Sequence, residues 1–195
     1  MTSRTLIAAA LSLACAGAFA QTNAAVTTQR DANQQTRIEN GLKSGALSTG
    51  EAAKLEKEEA HVDRLQARSM RDGQLSPAER ARLDAAQDKV SADIRADKHN
   101  AVTGNPGSAS SRRMQVDVAR NAKQEQRIAN GVKDGSLTNH EAAKLERGQS
   151  RVDHKEARAG ADGHVGAGEQ ARAQRSEDRQ SRRIHRQKHD AQVRG

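Results

Sequence analysis

Residues 44–51 read Ser-Gly-Ala-Leu-Ser-Thr-Gly-Glu, and residues 72–79 read Asp-Gly-Gln-Leu-Ser-Pro-Ala-Glu. Both follow the pattern polar-Gly-x-Leu-Ser-x-x-Glu, and each part has a mechanical role. The glycine permits the left-handed turn that closes one helix. The leucine packs inward at the turn. The serine caps the next helix, and the glutamate three residues on completes a capping box. Pro77 takes the first helical position, where a missing N–H is no loss. Thr138-Asn139-His140-Glu141 repeats the device further along the chain.

Working outward, the apolar residues fall at helical spacing. Leu55, Val62 and Leu65 share one face of a helix between the two turns, and Leu83, Ala86, Val90 and Ile94 share a face of the next. The spacing predicts helices over roughly 29–43, 48–70 and 76–99. Short turns make neighbouring helices antiparallel, so a three-helix module is the natural shape.

The whole unit then recurs at an offset of 90 residues. Arg37-Ile38-Glu39-Asn40-Gly41 returns as Arg127-Ile128-Ala129-Asn130-Gly131, Glu51–Glu56 returns unchanged as Glu141–Glu146, and Asp72-Gly73 returns as Asp162-Gly163. Roughly two in five aligned positions agree without a gap, which is a duplication. The expected fold is all-α: two tandem three-helix modules, 29–101 and 119–191, joined by a flexible Gly/Pro/Ser linker at 102–113. The second module is expected to be less ordered. Leu65, Met70, Leu83 and Val90 have become Lys155, Gly160, Ala173 and Gln180, and the Ser76-Pro77 cap has become Gly166-Ala167.

The N-terminus reads as a secretory signal over residues 1–20. Arg4 supplies the positive charge, Leu6–Ala14 the apolar run, and Ala18-Phe19-Ala20 the cleavage pattern, placing the cut before Gln21. Cys15 leaves with the signal on this reading. Ser12 stands where a lipobox would need an aliphatic residue. No further cysteine or aromatic residue follows, so disulfides and thiolate metal sites are excluded from the exported chain. Nothing later is apolar enough to span a membrane. The expected location is periplasmic or secreted.

Composition sets limits. Large aliphatic residues are sparse, mean hydropathy is −0.94 and 30% of residues are charged, so any folded unit should be marginal. The two copies differ in charge. Residues 30–100 hold 13 basic and 13 acidic groups, whereas residues 120–190 hold 16 and 11. Arg172, Arg175, Arg179, Arg182 and Arg186 follow a 3-4-3-4 spacing that aligns five guanidiniums on one helix face, with Arg183 beside them. Such a row attracts an anionic envelope component: a lipid headgroup, lipopolysaccharide or an acidic protein. Base readout has no support, because stacking aromatics and zinc-finger spacing are missing, so sequence-specific nucleic-acid binding is not expected.

Metal binding is the second reading. Asn130 to Glu141 matches several calcium-loop positions, with Asn130, Asp134 and Glu141 as ligands, but an apolar Val132 stands at the third position. His185 and His189 lie four apart, a spacing that can chelate a transition metal, with arginines beside them. Most other carboxylates read as solvated i,i+4 partners of lysine and arginine. No nucleophile elbow, phosphate-cradling glycine loop or zinc-protease pattern is present, so neither enzymatic activity nor a cofactor is expected. A third reading is a mostly disordered chain that acts through charge and hydration.

The pattern Arg-Ile-x-x-Gly-x-x-x-Gly-x-Leu-Ser/Thr-x-x-Glu-Ala-x-x-Leu at 37–55 and 127–145, with Asp-Gly-x-Leu-Ser-x-x-Glu at 72–79, resembles an uncharacterised family of exported proteobacterial proteins with tandem helical, EF-hand-like repeats. The resemblance implies a periplasmic or secreted helical protein and brings no assigned active site. The expected role is a non-enzymatic helical repeat protein binding an anionic partner through its arginine-rich end, with divalent-cation binding as the alternative. Ser76→Ala should cost about 1 kcal/mol, the usual loss for an N-cap, read as a lower thermal midpoint; an unchanged midpoint would count against the cap.

Overall fold

The computed structural model describes residues 8–190, with side chains from Asn23 onward. Arg4, Leu6 and Ile7 of the expected export signal lie outside the described residues. Six helices account for the architecture, and no strand occurs among the described residues. They are α1 (Ala8–Ser44), α2 (Thr49–Ser69), α3 (Pro77–Lys98), α4 (Ala109–Asp134), α5 (Asn139–Ala159) and α6 (Ala167–Lys188). None is long and apolar enough to cross a membrane.

The turns form as their residues dictate. Gly45, Gly73, Gly135 and Gly163 have φ near +80°. Ser48, Ser76 and Thr138 accept from the backbone N–H of the glutamate three residues on, and those glutamates reach back to the cap N–H. Helix α6 starts without a side-chain cap: Gly166 N–H donates to Glu169 Oε2 at 2.9 Å, which preserves half of the box. Loss of the serine therefore does not abolish the helix start.

Packing departs from two self-contained modules. The broadest helix contacts join equivalent helices of the two copies, α1 with α4 and α2 with α5. Both pairs are antiparallel. Gln29 and Gln126 exchange amide hydrogen bonds of 2.8 and 2.7 Å across α1 and α4, while Gln115 Nε2 reaches Leu42 O. Ser150 Oγ donates to Ala60 O at 2.7 Å across α2 and α5. Ser150 and Ala60 occupy the same place in their copies, so a pseudo-two-fold axis passes between them. Helix α3 lies against α1 and α2, and α6 against α4 and α5. The segment expected as a linker is tied down: Gly104 N–H donates to Gly45 O at 2.8 Å, and Ser108 caps α4.

Each of the two apolar clusters is built from both copies. One gathers Ile38, Leu42, Leu55, Val90 and Ile94 with Met114, Val118 and Val165. The other gathers Met70, Leu75 and Leu83 with Ile128, Leu137, Leu145 and Ile184. Too few aliphatic residues exist in one copy to close a core, and pooling them satisfies both. The eroded positions of copy 2 have compensations. Gln180, in place of Val90, donates from Nε2 to Leu145 O at 2.8 Å. It has room because Gly148 stands where copy 1 has Glu58; a Cβ at 148 would overlap the Gln180 amide. Gly148→Ala should therefore destabilise the protein by about 1–3 kcal/mol, the range for overpacking, and Gln180→Val in the same chain should restore most of it. Equal midpoints for Gly148→Ala and the parent protein in thermal unfolding would refute this packing.

Candidate metal centre

Helices α2 and α5 are buried around most of their circumference, and much of what they bury is acidic. Glu56, Glu59 and Asp63 of α2 and Glu146, Asp153 and Glu156 of α5 are each at most 2% exposed. Asp31 of α1 and Glu125 of α4 are as deeply enclosed. These eight carboxylates occupy the midsections of the helices, with apolar clusters toward either end. The sequence reading placed such carboxylates in solvent as partners of lysine and arginine. The structure corrects this: they share the inward helical phase of Leu55, Val62, Leu145 and Val152, and the lysines and arginines of α2 and α5 point outward.

Two sets of three carboxylates converge, each with ligand oxygens within 4.8 Å of one another: Asp31, Glu125 and Glu146, and Glu56, Asp153 and Glu156. The sets are adjacent. Asp63 lies close to Asp153, Glu125 and Glu146. Only the Glu56/Glu146 pair is common to the two sets under the pseudo-two-fold axis; at most of the other positions an acid in one copy stands where the other has an amide. At the 90-residue offset, Asp31 corresponds to Asn121, Glu125 to Gln35, and Glu156 to Gln66, while Glu56/Glu146 and Asp63/Asp153 are acidic in both copies.

The amides serve as fixed donors around the oxygens. Asn121 Nδ2 donates to Asp153 Oδ1 at 3.0 Å and Glu156 Oε2 at 2.7 Å. Gln35 Nε2 donates to Glu56 Oε2 at 3.1 Å, and Gln87 Nε2 to Asp31 Oδ1 at 2.5 Å. Gln66 Nε2 donates to Thr28 Oγ1, which donates to Glu146 Oε1 at 3.2 Å. Much acceptor capacity remains. Both oxygens of Glu59 have no hydrogen-bond partner, nor do Glu56 Oε1, Glu125 Oε2, Glu146 Oε2 and Glu156 Oε1. Buried acceptors without partners are strongly unfavourable, and among the described residues no lysine or arginine enters this layer to offset them. A half-buried ion pair lies beside it, where Arg120 Nη1 meets the buried Glu177 Oε2 at 3.1 Å.

The electrostatic consequence is retained protons. Burial pushes Asp31 and Asp153 up to about 7 from the ordinary 3.8, and Asp117 to about 8. Burial, then the surrounding carboxylates, raise Glu59, Asp63, Glu125 and Glu156 well above the usual range. Glu177 rises to about 7 from burial despite Arg120 beside it.

The residues singled out by the sequence lie elsewhere. Asp134 Oδ1 accepts from Ser136 N–H at 2.9 Å, and Glu141 Oε2 accepts from Thr138 N–H and Oγ1, both at 2.8 Å, so both serve the turn and cap. Asn130 Oδ1 accepts from Gln126 at 3.0 Å on an exposed face. His185 and His189 are exposed with ring centroids 4.3 Å apart, and His189 Nδ1 lies 2.7 Å from His185 O. Neither converging carboxylate set includes any of the five. Arg172, Arg175, Arg179, Arg182 and Arg186 are exposed on α6, with Arg183 half-buried toward α5. Persistence between the copies did not mark the interior acids: Glu56 and Asp63 persist as Glu146 and Asp153, but so do the exposed Asp72 and Asp88, while the buried Asp31 and Glu59 became Asn121 and Gln149.

Compared with protein-family models, curated proteins and solved structures, the chain matches none.

The raised carboxylates set a pH dependence. Between the unfolded values near 4 and the folded values near 7 to 8, the folded state holds more protons than the unfolded chain. Stability therefore falls as pH rises through that window, since its slope follows the difference in bound protons. In chelator, the thermal midpoint should drop from pH 5 to pH 8. A midpoint that rises over that range would contradict buried, protonated carboxylates.

Proposed function

We propose that this is an exported, non-enzymatic protein that binds hard cations inside its helical body, in the carboxylate layer shared by the two copies. One observation supports the reading above others: two adjacent three-carboxylate sets, fully enclosed, with unpartnered oxygens on Glu56, Glu125, Glu146 and Glu156 and no cationic side chain among them. Bundle interiors build metal sites in this way, from acids on facing helices.

The donor chemistry narrows the cation. Every candidate ligand is a carboxylate or amide oxygen, with no imidazole or thiolate in the layer. Oxygen-only sets favour calcium, manganese and similar hard ions over zinc or copper. Two neighbouring ions would neutralise the charge that protons otherwise hold, so uptake releases protons and weakens as pH falls. The amides Asn121, Gln35 and Gln87 hold carboxylates in place through fixed hydrogen bonds. Ligands at most 2% exposed suit retention of an ion rather than turnover of an organic substrate. Storage or buffering of a cation outside the cytoplasm follows from that enclosure and from the export signal read at residues 1–20.

Thermal unfolding at pH 7.5 tests the reading. Manganese or calcium at a hundred times its dissociation constant should raise the midpoint by about 5–10 °C. The double variant Glu125→Gln/Glu146→Gln should have a higher midpoint than the parent protein in chelator, because repulsion is relieved, and should show a clearly smaller cation response, since one of the two sets is lost. His185→Ala/His189→Ala should keep it. No response to any hard cation, or an equal response in the glutamine variant, would overturn the assignment.

A further inference from the structure

The outward face of copy 2 holds a second charged structure, independent of the carboxylate layer. The arginine row of α6 does not stand alone. Lys144, Arg147, Arg151, Lys155 and Arg158 repeat at 3-4-4-3 spacing along α5 and line the other side of a continuous groove. Because the helices run antiparallel, Arg158 and Lys155 face Arg172, Arg175 and Arg179, while Arg151 and Arg147 face Arg183 and Arg186. Ten cations thus border a groove about 21 Å long, at 1.5 Å per residue from position 144 to 158. Glu169, at one end, is the only acid lining it.

Copy 1 supplies an internal control. Its matching surface is neutralised, with Lys89 bridging Glu58 at 3.5 Å and Asp93 at 2.5 Å, and Lys54 meeting Asp97 at 3.2 Å. In copy 2 those three acids have become Gly148, Arg183 and Gln187. Ala85, Ala96, His61 and Leu65 have meanwhile become Arg175, Arg186, Arg151 and Lys155. None of the ten groove cations takes part in an ion pair among the described residues. Lys155 reaches only Ser176 Oγ, at 2.8 Å. Every change removes compensation or adds charge on one surface, at the expense of self-repulsion, and an anion lying between the rows would relieve that repulsion.

We propose that the α5/α6 groove binds a soluble, extended chain of phosphates of the linear polyphosphate class. Guanidiniums in facing rows present paired N–H donors to successive phosphate oxygens. The groove is concave and long, which suits a chain laid between two helices better than a flat bilayer. No large apolar side chain is exposed on α5 or α6 to enter lipid; among the described residues the exposed ones are Val26, Val102 and Val116. Single-stranded nucleic acid would want stacking aromatics, and the only aromatic of Phe, Trp or Tyr type in the chain is Phe19.

Calorimetric titration of the purified protein with linear polyphosphate of tens of units, in chelator and at several salt concentrations, tests the proposal. Binding should be at least a hundredfold tighter than for orthophosphate and should weaken steeply with salt. The variant Arg151→His/Arg183→Asp restores copy 1 residues at exposed or half-buried positions. It should lose at least tenfold in affinity with an unchanged thermal midpoint and an unchanged cation response. Polyphosphate bound no better than orthophosphate, or equally by parent and variant, would overturn the proposal. So would capture by phosphatidylglycerol vesicles that polyphosphate does not compete away.

Discussion

The structure depends on how eight carboxylates are kept at the centre of a protein with few aliphatic residues. Removing a carboxylate from water is unfavourable by several kcal/mol unless a charge or hydrogen bonds meet it. Here amides meet some oxygens and protons neutralise others, and several oxygens remain without a partner. This layer separates the apolar residues into two clusters, one toward each end of the helices. It also forces the two copies together. Asp31, Glu125 and Glu146 come from α1, α4 and α5, so the set exists only when α1 of the first copy packs on the second copy.

Duplication accounts for the division of labour. Gene copies that pair antiparallel place equivalent residues around a shared axis, and a carboxylate retained in both copies then appears twice in one layer. Glu56/Glu146 and Asp63/Asp153 are such positions. Elsewhere in the layer an acid in one copy stands opposite an amide in the other, as with Asp31/Asn121 and Gln35/Glu125. The exchange keeps donors beside acceptors and limits the charge enclosed. Outward positions changed under a different constraint. Gly148 shows the coupling between the two: loss of Glu58's counterpart makes room for Gln180 inside and removes an acid from the groove outside.

Local features of the fold were legible in the sequence. The Gly-x-Leu-Ser/Thr-x-x-Glu turns marked helix ends within a residue or two, because caps and left-handed glycines depend on near neighbours. The association of the copies was not legible, since two self-contained bundles and one shared body have the same helices. The acidic layer escaped for a related reason. Glu56 and Glu59 neighbour Lys54 and Lys57 along the chain, which reads as a solvated surface. Only the helical phase, with Leu55 and Val62 on the same side, separates the buried acids from the exposed lysines. Most of the arginine row of α6 could be read from its spacing, although Arg183 and not Arg182 lines the groove. Its partner row on α5 needed the antiparallel packing, which places Lys155 across from Arg179 although they lie far apart in sequence.

Anomalous scattering from crystals grown with manganese addresses the central claim most directly. Two neighbouring peaks should appear between the midsections of α1, α2, α4 and α5, one contacting Asp31, Glu125 and Glu146 and the other Glu56, Asp153 and Glu156, at the distances usual for oxygen ligands. An interior without scattering, with manganese held only at the helix turns or at His185 and His189, would contradict it.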